Sequence, residues 1–477
     1  MTDQARIIRN AELLSADGHS TFGDVRLVNT TIQAVGRLQP EPGDQIIDAG
    51  GCLLIPGLQD HHMHLMSYAA SFDSVRCGPP DVNSEDELAT CLNNHPGTGW
   101  LRGVGYHESV RPDLDKHWLD ANGPDRPIRL QHRSGRLWIL NSAGLDIIRA
   151  AAAGLEAHEQ IRLAGDDGRL YDVDELLGHL TRAAPPPIGR ASRQLAAYGI
   201  TGINDMTPAN NLQTWDWFSA LQSADEILQK VRLSGRPELS GSYAIDSSRL
   251  TRGETKFHLH DASLPNFSDL VDAIARSHHE NRNVAIHCVT EVELIFSVSA
   301  FRAAGARKGD RIEHASVVPP ALIEQLLELA LGIVTQPNFI YERGDAYIRD
   351  IAREEHPFLY RVNSLVNAGV PVAFGTDSPF GHPDPWVAMK AAVDRQTISG
   401  NLLGEDERIA PVSALKKFLG GLGDPFTPRT ISPGEPADLC LLNLPWKDLC
   451  TDLASAHVRM TIRDGEMIYS RDGTSLL

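Results

Sequence analysis

The sequence predicts an α/β fold in which eight parallel strands and their helices close into a barrel, with a small β domain formed by both chain ends. Three observations predict this fold. From about residue 256 onward, short apolar runs alternate regularly with helical patterns, which is typical of βα units around a parallel sheet. Earlier strand-like runs bring the number of candidate strands to eight. Both chain ends are rich in strand patterns and poor in helix patterns.

The two chain ends share a strand-like pattern. Residues 25–35 alternate apolar and polar side chains, as a half-buried strand does. Residues 458–462 alternate in the same way and precede an Asp464-Gly465 turn typical of a hairpin. We therefore predict a small β-sandwich domain from residues 1–52 and 426–477, beside a (β/α)8 TIM-type barrel from residues 53–425.

The barrel strands are predicted from eight short runs. They are residues 53–60, 128–132, 199–205, 255–259, 284–287, 311–314, 333–336 and 370–374. Between the later runs, apolar residues repeat at helical spacing. The helix after the fifth run is predicted to end at Gly305, and Pro319-Pro320 is predicted to open the next helix, which Gly332 closes.

The composition limits the classes of function. Hydrophobic residues make up 42% and charged residues 22% of the 477-residue chain, which excludes wholesale disorder, collagen and coiled coil. The 44 Lys and Arg against 62 Asp and Glu leave a net charge of −18, which argues against nucleic acid and anionic membranes as partners. No run approaches the ~18 apolar residues of a membrane helix. Six cysteines without a C-x-x-C pair indicate reduced thiols, so we predict a cytoplasmic protein, with homo-oligomer formation left open.

Histidines and one aspartate follow the predicted strands at one end of the barrel. His62 and His64 lie two residues apart on extended chain, so both side chains can converge on one metal ion. His287, His314 and Asp377 each end a later strand. The C-terminal strand ends of a parallel barrel open on one face, where such folds keep their active sites. One close histidine pair is equally typical of an exposed loop, but the order of all five residues favours a metal site.

Several motifs resemble the amidohydrolase superfamily, and within it the YtcJ-like, amidohydrolase-3 branch. The Pro-Gly-x-x-Asp-x-His-x-His motif stands at residues 56–64, Glu-His-Ala at residues 313–315 and Thr-Asp-x-Pro at residues 376–379. The segment 138–143 resembles a Trp-Val-Asn-Ser segment of that branch with one residue inserted, and Gly-Ile-Thr stands at residues 199–201. The segment 433–439 resembles the entry into the family's terminal β domain. The resemblance spans nearly the whole chain.

The resemblance implies a metal-dependent hydrolase with a defined set of ligands. The residues carried over are His62, His64, His287, His314 and Asp377. Many members hold two metals with a carbamylated lysine on strand four, and Lys256 matches that position. Carbamylation would turn this cation into an anionic ligand with two oxygens. The expected cofactor is therefore one or two divalent ions, of which zinc suits imidazole best, with iron and manganese as alternatives.

The predicted reaction is hydrolysis of a carbon–nitrogen amide-type bond by a metal-activated water. Asp377 would accept the water proton and pass it to the departing amine. The expected substrate is a small N-acyl, N-formyl or cyclic amide compound. The alternatives are a deaminase of the same superfamily and a barrel that binds without catalysis.

Candidate substrate contacts come from the long connections of the barrel and from the mouth of the site. They are Trp100, Tyr106, His132, Arg133, Trp138, Asn141, His258, Gln336 and Phe339.

Overall fold

The computed structural model describes residues 5–15, 18–181, 186–240 and 246–473. The chain divides into two compact units. One contains Met1–Leu65 with Ile188–Leu477, and the other is Met66–Pro187. Within the described residues, no helix combines the length and apolar character needed to cross a bilayer.

The strands, in chain order, are β1 (Ala5–Leu14), β2 (Ser20–Val28), β3 (Thr31–Gly36), β4 (Gln45–Asp48), β5 (Leu53–Pro56), β6 (Leu58–Met63), β7 (Val75–Arg76), β8 (Leu101–Tyr106), β9 (Ile128–His132), β10 (Leu137–Leu140), β11 (Arg169–Tyr171), β12 (Ile200–Asp205), β13 (Lys230–Gly235), β14 (Leu250–His258), β15 (Val284–Cys288), β16 (Arg311–His314), β17 (Gly332–Thr335), β18 (Val372–Phe374), β19 (Leu439–Leu442), β20 (Val458–Arg463) and β21 (Glu466–Ser470).

The α-helices, in chain order, are α1 (Leu65–Ser71), α2 (Glu85–Asn94), α3 (Lys116–Asn122), α4 (Ser142–Ala151), α5 (Ala157–Arg162), α6 (Asp174–Leu180), α7 (Ile188–Ala197), α8 (Leu212–Ser223), α9 (Phe267–His279), α10 (Glu291–Ala304), α11 (Pro320–Glu328), α12 (Asn338–Asp350), α13 (Asn363–Ala368), α14 (Pro385–Asp394), α15 (Pro411–Lys416) and α16 (Trp446–Leu449).

The barrel is a sheet of eight parallel strands in the order β6, β12, β13, β14, β15, β16, β17 and β18. Its two edges meet where β18 ends beside β6. The Asp377 amide donates to the His62 carbonyl at 2.7 Å, and the His64 amide donates to the Ser378 carbonyl at 2.9 Å. The predicted α/β barrel is confirmed.

The sequence signals for the starts and ends of the later helices can be compared with the structure. Thr290 and Glu293 form a capping box at the start of α10, in which each side chain accepts the other residue's backbone N–H. The helix ends before Gly305, whose φ of +83° is the conformation that glycine adopts most readily. Pro320 opens α11 as predicted, but this helix ends at Glu328, four residues before Gly332.

One predicted barrel strand is wrong. Residues 128–132 form β9, which pairs with β8 and β10 in a separate five-stranded sheet. The barrel position belongs to β13 instead. That strand lacks an apolar run because Arg232 and Ser234 on one of its faces contact the buried Glu254, at 3.1 and 2.8 Å. Because these paired polar side chains interrupt the apolar residues, a search for apolar runs does not identify β13.

The predicted first strand is divided at Gly57. Its first half, β5, joins the sheet of the chain ends, and its second half, β6, joins the barrel. A Cβ at Gly57 would lie 2.3 Å from the Cγ2 atom of Thr201, so only glycine permits this approach. The glycine thus marks the point at which the chain passes from one sheet to the other.

Strands from both chain ends share one sheet of eight strands. The order is β21, β20, β19, β5, β1, β2 and β3, and β4 also pairs with β1. A cluster of buried apolar side chains from both ends packs on it, including Ile8, Val25, Leu439 and Ile462. This sheet and the barrel lie in the same compact unit. A separate domain with bounds 1–52 and 426–477 remains a prediction.

Removing residues 1–52 is expected to give insoluble protein. The deletion removes β1 to β4, exposes the apolar face of β19 and leaves β5 with an unpaired edge, and such edges aggregate. The measurement is the soluble fraction after expression. A truncation of residues 1–4 alone keeps the whole sheet and serves as the control. A soluble and active 1–52 deletion would contradict the prediction.

The second unit, Met66–Pro187, carries the five-stranded sheet β11, β10, β9, β8 and β7. Its helices and strands enclose two apolar clusters of their own, one around Leu88, Leu101 and Leu130, and one around Leu145 and Leu177. The sequence patterns assigned these residues to the barrel region and did not predict a sheet of this kind there.

Candidate metal centre

Three side chains at the ends of β6 and β18 come together. A ring nitrogen of His62, a ring nitrogen of His64 and a carboxylate oxygen of Asp377 all lie within 4.8 Å of one another. The Oδ1 atom of Asp377 is 3.2 Å from Nε2 of His64 and 3.5 Å from Nε2 of His62. Two imidazole nitrogens and a carboxylate at this spacing form a donor set that a divalent metal can use.

The other predicted ligands extend this cluster along the barrel mouth. The ring centroids of His62 and His314 are 4.7 Å apart, and those of His314 and His287 are 4.4 Å apart. His314 also approaches the second oxygen of Asp377, with Nδ1 at 4.0 Å from Oδ2. The rings of His62, His314 and His287 therefore follow one another along the barrel mouth, and those of His62 and His314 approach Asp377.

Each of three imidazoles is held by a partner on Nδ1. The Nδ1 atoms of His62, His64 and His314 lie 2.5 Å from Oε2 of Glu313, 2.9 Å from Oγ1 of Thr207 and 2.7 Å from Oε1 of Gln336. A carboxylate and an amide oxygen accept a hydrogen bond from the Nδ1–H group, which leaves Nε2 of His62 and His314 as the basic nitrogen. Such partners set the tautomer and the ring orientation of metal-binding histidines.

The backbone at the cluster is locally strained. Asp377 has a φ of +54° and His314 a φ of +68°, in a region that residues other than glycine rarely adopt. Strain of this kind persists only where the surrounding structure holds it, and it concentrates at functional sites. A Cβ at Gly375 would lie 2.5 Å from the Cβ of His62, so glycine there lets the end of β18 lie against β6.

Asp60 joins the same two strand ends. Its buried carboxylate accepts the Thr376 hydroxyl at 2.5 Å, the Thr376 amide at 3.0 Å and the His62 amide at 3.2 Å. Burial raises the pKa of Asp60 to about 7, although these hydrogen bonds by themselves lower that pKa. The aspartate of the Pro-Gly-x-x-Asp motif thus positions the histidines that follow it.

The electrostatics favour neutral imidazoles beside a charged carboxylate. Burial, followed by nearby positive groups, lowers the pKa values of His62, His287 and His314. Burial alone would raise the pKa of Asp377, but the hydrogen bond with His64 and the neighbouring imidazoles hold that pKa below its usual range. Neutral histidine and ionised aspartate are the forms that bind a metal.

Lys256 lies on β14 with its ammonium group buried. Within the described residues, its Nζ atom has no hydrogen-bond partner. Burial lowers the pKa of Lys256 to about 8, partly offset by Glu313. A buried amine without a partner is costly unless another group joins it.

The family follows from a comparison with known proteins. Residues 45–469 match the model of the amidohydrolase family. The chain belongs to the amidohydrolase family. The family predicted from the sequence motifs is therefore confirmed.

Two curated relatives match the amidohydrolase along nearly its whole length. The N-substituted formamide deformylase of Arthrobacter pascens is 25% identical over 520 residues, which cover 95% of this chain and 94% of that protein. The protein YtcJ of Bacillus subtilis is 22% identical and is covered to 91%, with 90% of this chain. A solved metal-dependent hydrolase of Pyrococcus horikoshii superposes with a TM-score of 0.76 at 18% identity, with 96% of this chain and all of that chain covered.

Three predicted substrate contacts lie in the same unit as the metal cluster. His258 is exposed at the end of β14, and its ring centroid is 4.1 Å from that of His287. Gln336 is buried and orients His314. Phe339 is buried and stacks against the guanidinium of Arg343 at 4.0 Å. His258 is therefore the one of these three whose side chain is open to a ligand.

The other six candidates lie in Met66–Pro187, and several have roles inside that unit. Asn141 caps α4, and its amide group bonds the backbone of Ile128 and Arg126. Trp138 is buried and donates to Asp174 at 3.2 Å. His132 pairs with Glu108 at 3.0 Å. The remaining three are Trp100, Tyr106 and Arg133. Substrate contacts by these six residues remain a prediction.

Sequence reasoning missed the residues that orient the histidines. Thr207 follows the end of β12 and Glu313 precedes His314 in its motif, yet neither was assigned a role. The position of Glu313 in the Glu-His-Ala motif is the one signal that could have suggested it. Thr207 carries no such signal, because its partner His64 is 143 residues away in the chain.

Proposed function

We propose that this amidohydrolase cleaves a carbon–nitrogen amide-type bond of a small molecule with a metal-activated water. The observation that carries the proposal is the cluster of His62, His64 and Asp377 at the mouth of the barrel. We further propose that one or two divalent ions bind there, with zinc favoured because imidazole nitrogens dominate the donor set, and iron or manganese as alternatives.

The residues present fit such a metal. His62, His64, His287, His314 and Asp377 would hold it. Burial lowers the pKa values of His62, His287 and His314, which favours their neutral form, and the pKa of Asp377 is held below its usual range, which favours the carboxylate. Lys256, whose buried Nζ atom has no hydrogen-bond partner among the residues that the structure describes, fits the role of a carbamylated ligand for a second ion. A bound divalent ion lowers the pKa of a water molecule toward ~7 and polarises a carbonyl.

The chain's own residues supply the proton transfer and the orientation. Asp377 accepts a proton as the water oxygen adds to the substrate carbonyl carbon. The same carboxyl group then donates that proton to the amide nitrogen, because this nitrogen leaves poorly unless it is protonated. The C–N bond breaks, and an acid and an amine are released. Glu313 and Gln336 hold the histidine rings throughout by their hydrogen bonds to Nδ1.

The first substrates to test are N-substituted formamides, because a relative of that activity aligns along nearly the whole chain. The panel should also contain N-acyl amines, cyclic amides and aminated heterocycles, with release of formate, amine and ammonia measured separately. Hydrolysis of amide-type bonds supports the proposal. Ammonia release from heterocycles alone would favour a deaminase, and no turnover by metal-loaded protein on any amide would favour a binding role.

The cytoplasmic location and a possible homo-oligomer also remain proposals. All six cysteines are free in the described structure, which is in keeping with a reducing compartment. Light scattering of the purified protein tests the oligomeric state.

We expect purified protein to contain one to two divalent ions per chain, and chelation to abolish activity. Elemental analysis before and after dialysis against a chelator measures both. His62→Ala should lose bound metal because it removes a nitrogen from the cluster. His457→Ala is the matched control, since this histidine pairs with Asp452 and is not part of the cluster. Fully active protein without metal would refute the metal site.

A further inference from the structure

A second cavity lies at the opposite end of the barrel strands from the metal cluster. It has a volume of about 270 Å³ and is bounded by the first residues of β6, β13 and β14 and by the loop 421–423. This volume is just below the roughly 300–1,000 Å³ of most small-molecule sites. The proposed hydrolysis uses no residue of this cavity.

The wall of this cavity carries charges of both signs. Its charged side chains are Lys230, Arg232, Arg249, Arg429 and Asp438. Lys230 lies between Asp438 and Asp464, at 2.8 and 2.6 Å, and Arg249 pairs with Asp225 at 3.3 Å. Binding of an anion therefore depends on the donors that these ion pairs leave free.

Arg232 has donors available for a ligand. Its Nε atom donates to Glu254 at 3.1 Å, while its two terminal nitrogens make no hydrogen bond with the described residues. A Cβ at Gly423 would lie 3.9 Å from Nη1 of Arg232, so the guanidinium faces the loop 421–423 across the cavity. A guanidinium edge with two free N–H directions suits bidentate binding of an oxyanion.

Gln59 adds a polar group to the cavity lining. The residue is 3% exposed, and its Oε1 atom has no hydrogen-bond partner among the described residues. Its Nε2 atom donates to Thr201 at 3.0 Å, and its Oε1 atom lies against Gly202, where an added Cβ would be 1.8 Å away. Buried polar atoms without a partner are uncommon and call for an explanation.

We propose that this cavity, defined by Arg232, Arg429, Lys230 and Gln59, binds a small molecule that carries an oxyanion such as phosphate. The site itself does not depend on the hydrolase activity, because binding is measured without substrate. The anion would pair with the free edge of Arg232.

Occupancy of this site has a physical route to the metal cluster. Arg232 pairs with Glu254, whose Oε2 atom lies 3.7 Å from Nη2 of Arg311. Arg311 donates to Glu313 at 2.6 Å, and Glu313 binds Nδ1 of His62 at 2.5 Å. Glu254, Arg311, Glu313 and His62 are all 3% exposed or less. Charges in such a poorly screened interior interact strongly.

The expected effect on the metal cluster follows from the alternating charges. An anion that shares Arg232 weakens its pair with Glu254, so Glu254 relies more on Arg311. Arg311 then holds Glu313 less strongly, and Glu313 holds His62 more strongly. We therefore expect phosphate to change kcat by about fivefold or more, the lower end of ordinary allosteric couplings. This expectation rests on the proposed function.

The test is equilibrium dialysis with radiolabelled inorganic phosphate. Wild-type protein should bind it saturably, with a Kd of about 1 mM or lower. Ser248→Glu places a carboxylate on the exposed rim of the cavity and should weaken binding at least tenfold without disturbing the Arg232 pair. Ser219→Glu, on the exposed face of α8 and outside the cavity, carries the same charge change and should bind like wild type. Arg232→Gln should also weaken binding.

Two results would overturn the site. One is the absence of saturable phosphate binding. The other is binding that Ser248→Glu leaves unchanged, because the phosphate would then sit elsewhere, for example at the metal centre. Binding that is sensitive to Ser248→Glu but leaves kcat unchanged, in an enzyme shown to hydrolyse its substrate, would overturn the link to the metal cluster. An enzyme inactive on every amide would instead refute the proposed function and leave the binding result intact.

Discussion

Replacing Asp377 with asparagine is expected to lower kcat by about 10² to 10⁴, the usual contribution of a positioned general base. Asparagine keeps the shape of the side chain and one coordinating oxygen but cannot accept a proton. Most of the bound metal should therefore remain. The expectation depends on the position of this carboxylate, which lies 3.2 Å from His64 and 3.5 Å from His62 at the end of β18.

The measurement combines steady-state kinetics with elemental analysis of the same preparation. The acidic limb of the pH–rate profile should disappear in any residual activity, because the group that must be ionised is absent. Asp394→Asn is the control, since this aspartate pairs with Lys390 on an exposed helix face and should change neither quantity. If Asp377→Asn keeps its metal and hydrolyses within a few-fold of wild type, Asp377 is not the proton shuttle. His258 then becomes the next residue to test.

Replacing Lys256 with alanine is expected to remove the second ion and to lower activity by about 100-fold or more, since loss of even a supporting group at metal sites costs about 10- to 100-fold. The variant loses the nitrogen on which a carbamate forms. A short carboxylic acid such as propionate should restore part of the activity, because its two oxygens can replace those of the carbamate. Metal content and activity with and without propionate measure the effect.

The buried amine of Lys256 also predicts that formation of the carbamate depends on pH. Only a neutral amine can react with carbon dioxide, and burial lowers the pKa of Lys256 to about 8. The neutral fraction therefore increases as the pH rises through that value. Metal-free protein reloaded with bicarbonate should gain the second ion more completely at a pH above 8 than at a pH well below it.

A matched control is available for the Lys256 experiment. Burial also lowers the pKa of Lys417 to about 8, but this lysine lies outside the metal cluster. Lys417→Ala should keep its second ion and its pH dependence. An experimental structure in which the Lys256 amine is unmodified and points away from the metal would refute the bridging role.

The candidate metal ligands at the strand ends could be predicted from the sequence because the patterns that indicate them are local. Two histidines two residues apart on extended chain point the same way, and a parallel barrel places all C-terminal strand ends on one face. These rules need only the order of the strands. They were sufficient to select His62, His64 and Asp377, which the structure places within 4.8 Å of one another. The ligand roles of His287, His314 and Lys256 remain predictions.

The strand β13 shows where local signals fail. Its polar residues Lys230, Arg232 and Ser234 alternate with apolar residues, so no apolar run marks it as a buried barrel strand. It is stable inside the barrel because Glu254, on the next strand, balances its charge. Residues 128–132 show the reverse case. Their apolar run does form a strand, but this strand lies in a different sheet. An apolar run indicates that a strand is buried, but it does not indicate which sheet the strand joins.

The sequence alone was thus sufficient to predict the family, the barrel class and the histidines and aspartate of the cluster, because each prediction depends on residue type and short-range spacing. Only the tertiary structure decided how those side chains are held. Glu313 meets His62 across 251 residues and Thr207 meets His64 across 143, and no local pattern encodes such contacts. The cavity at the other end of the strands likewise arises from strands and a loop that are far apart in the chain. Barrel closure brings these distant residues together, and it is a property of the whole fold.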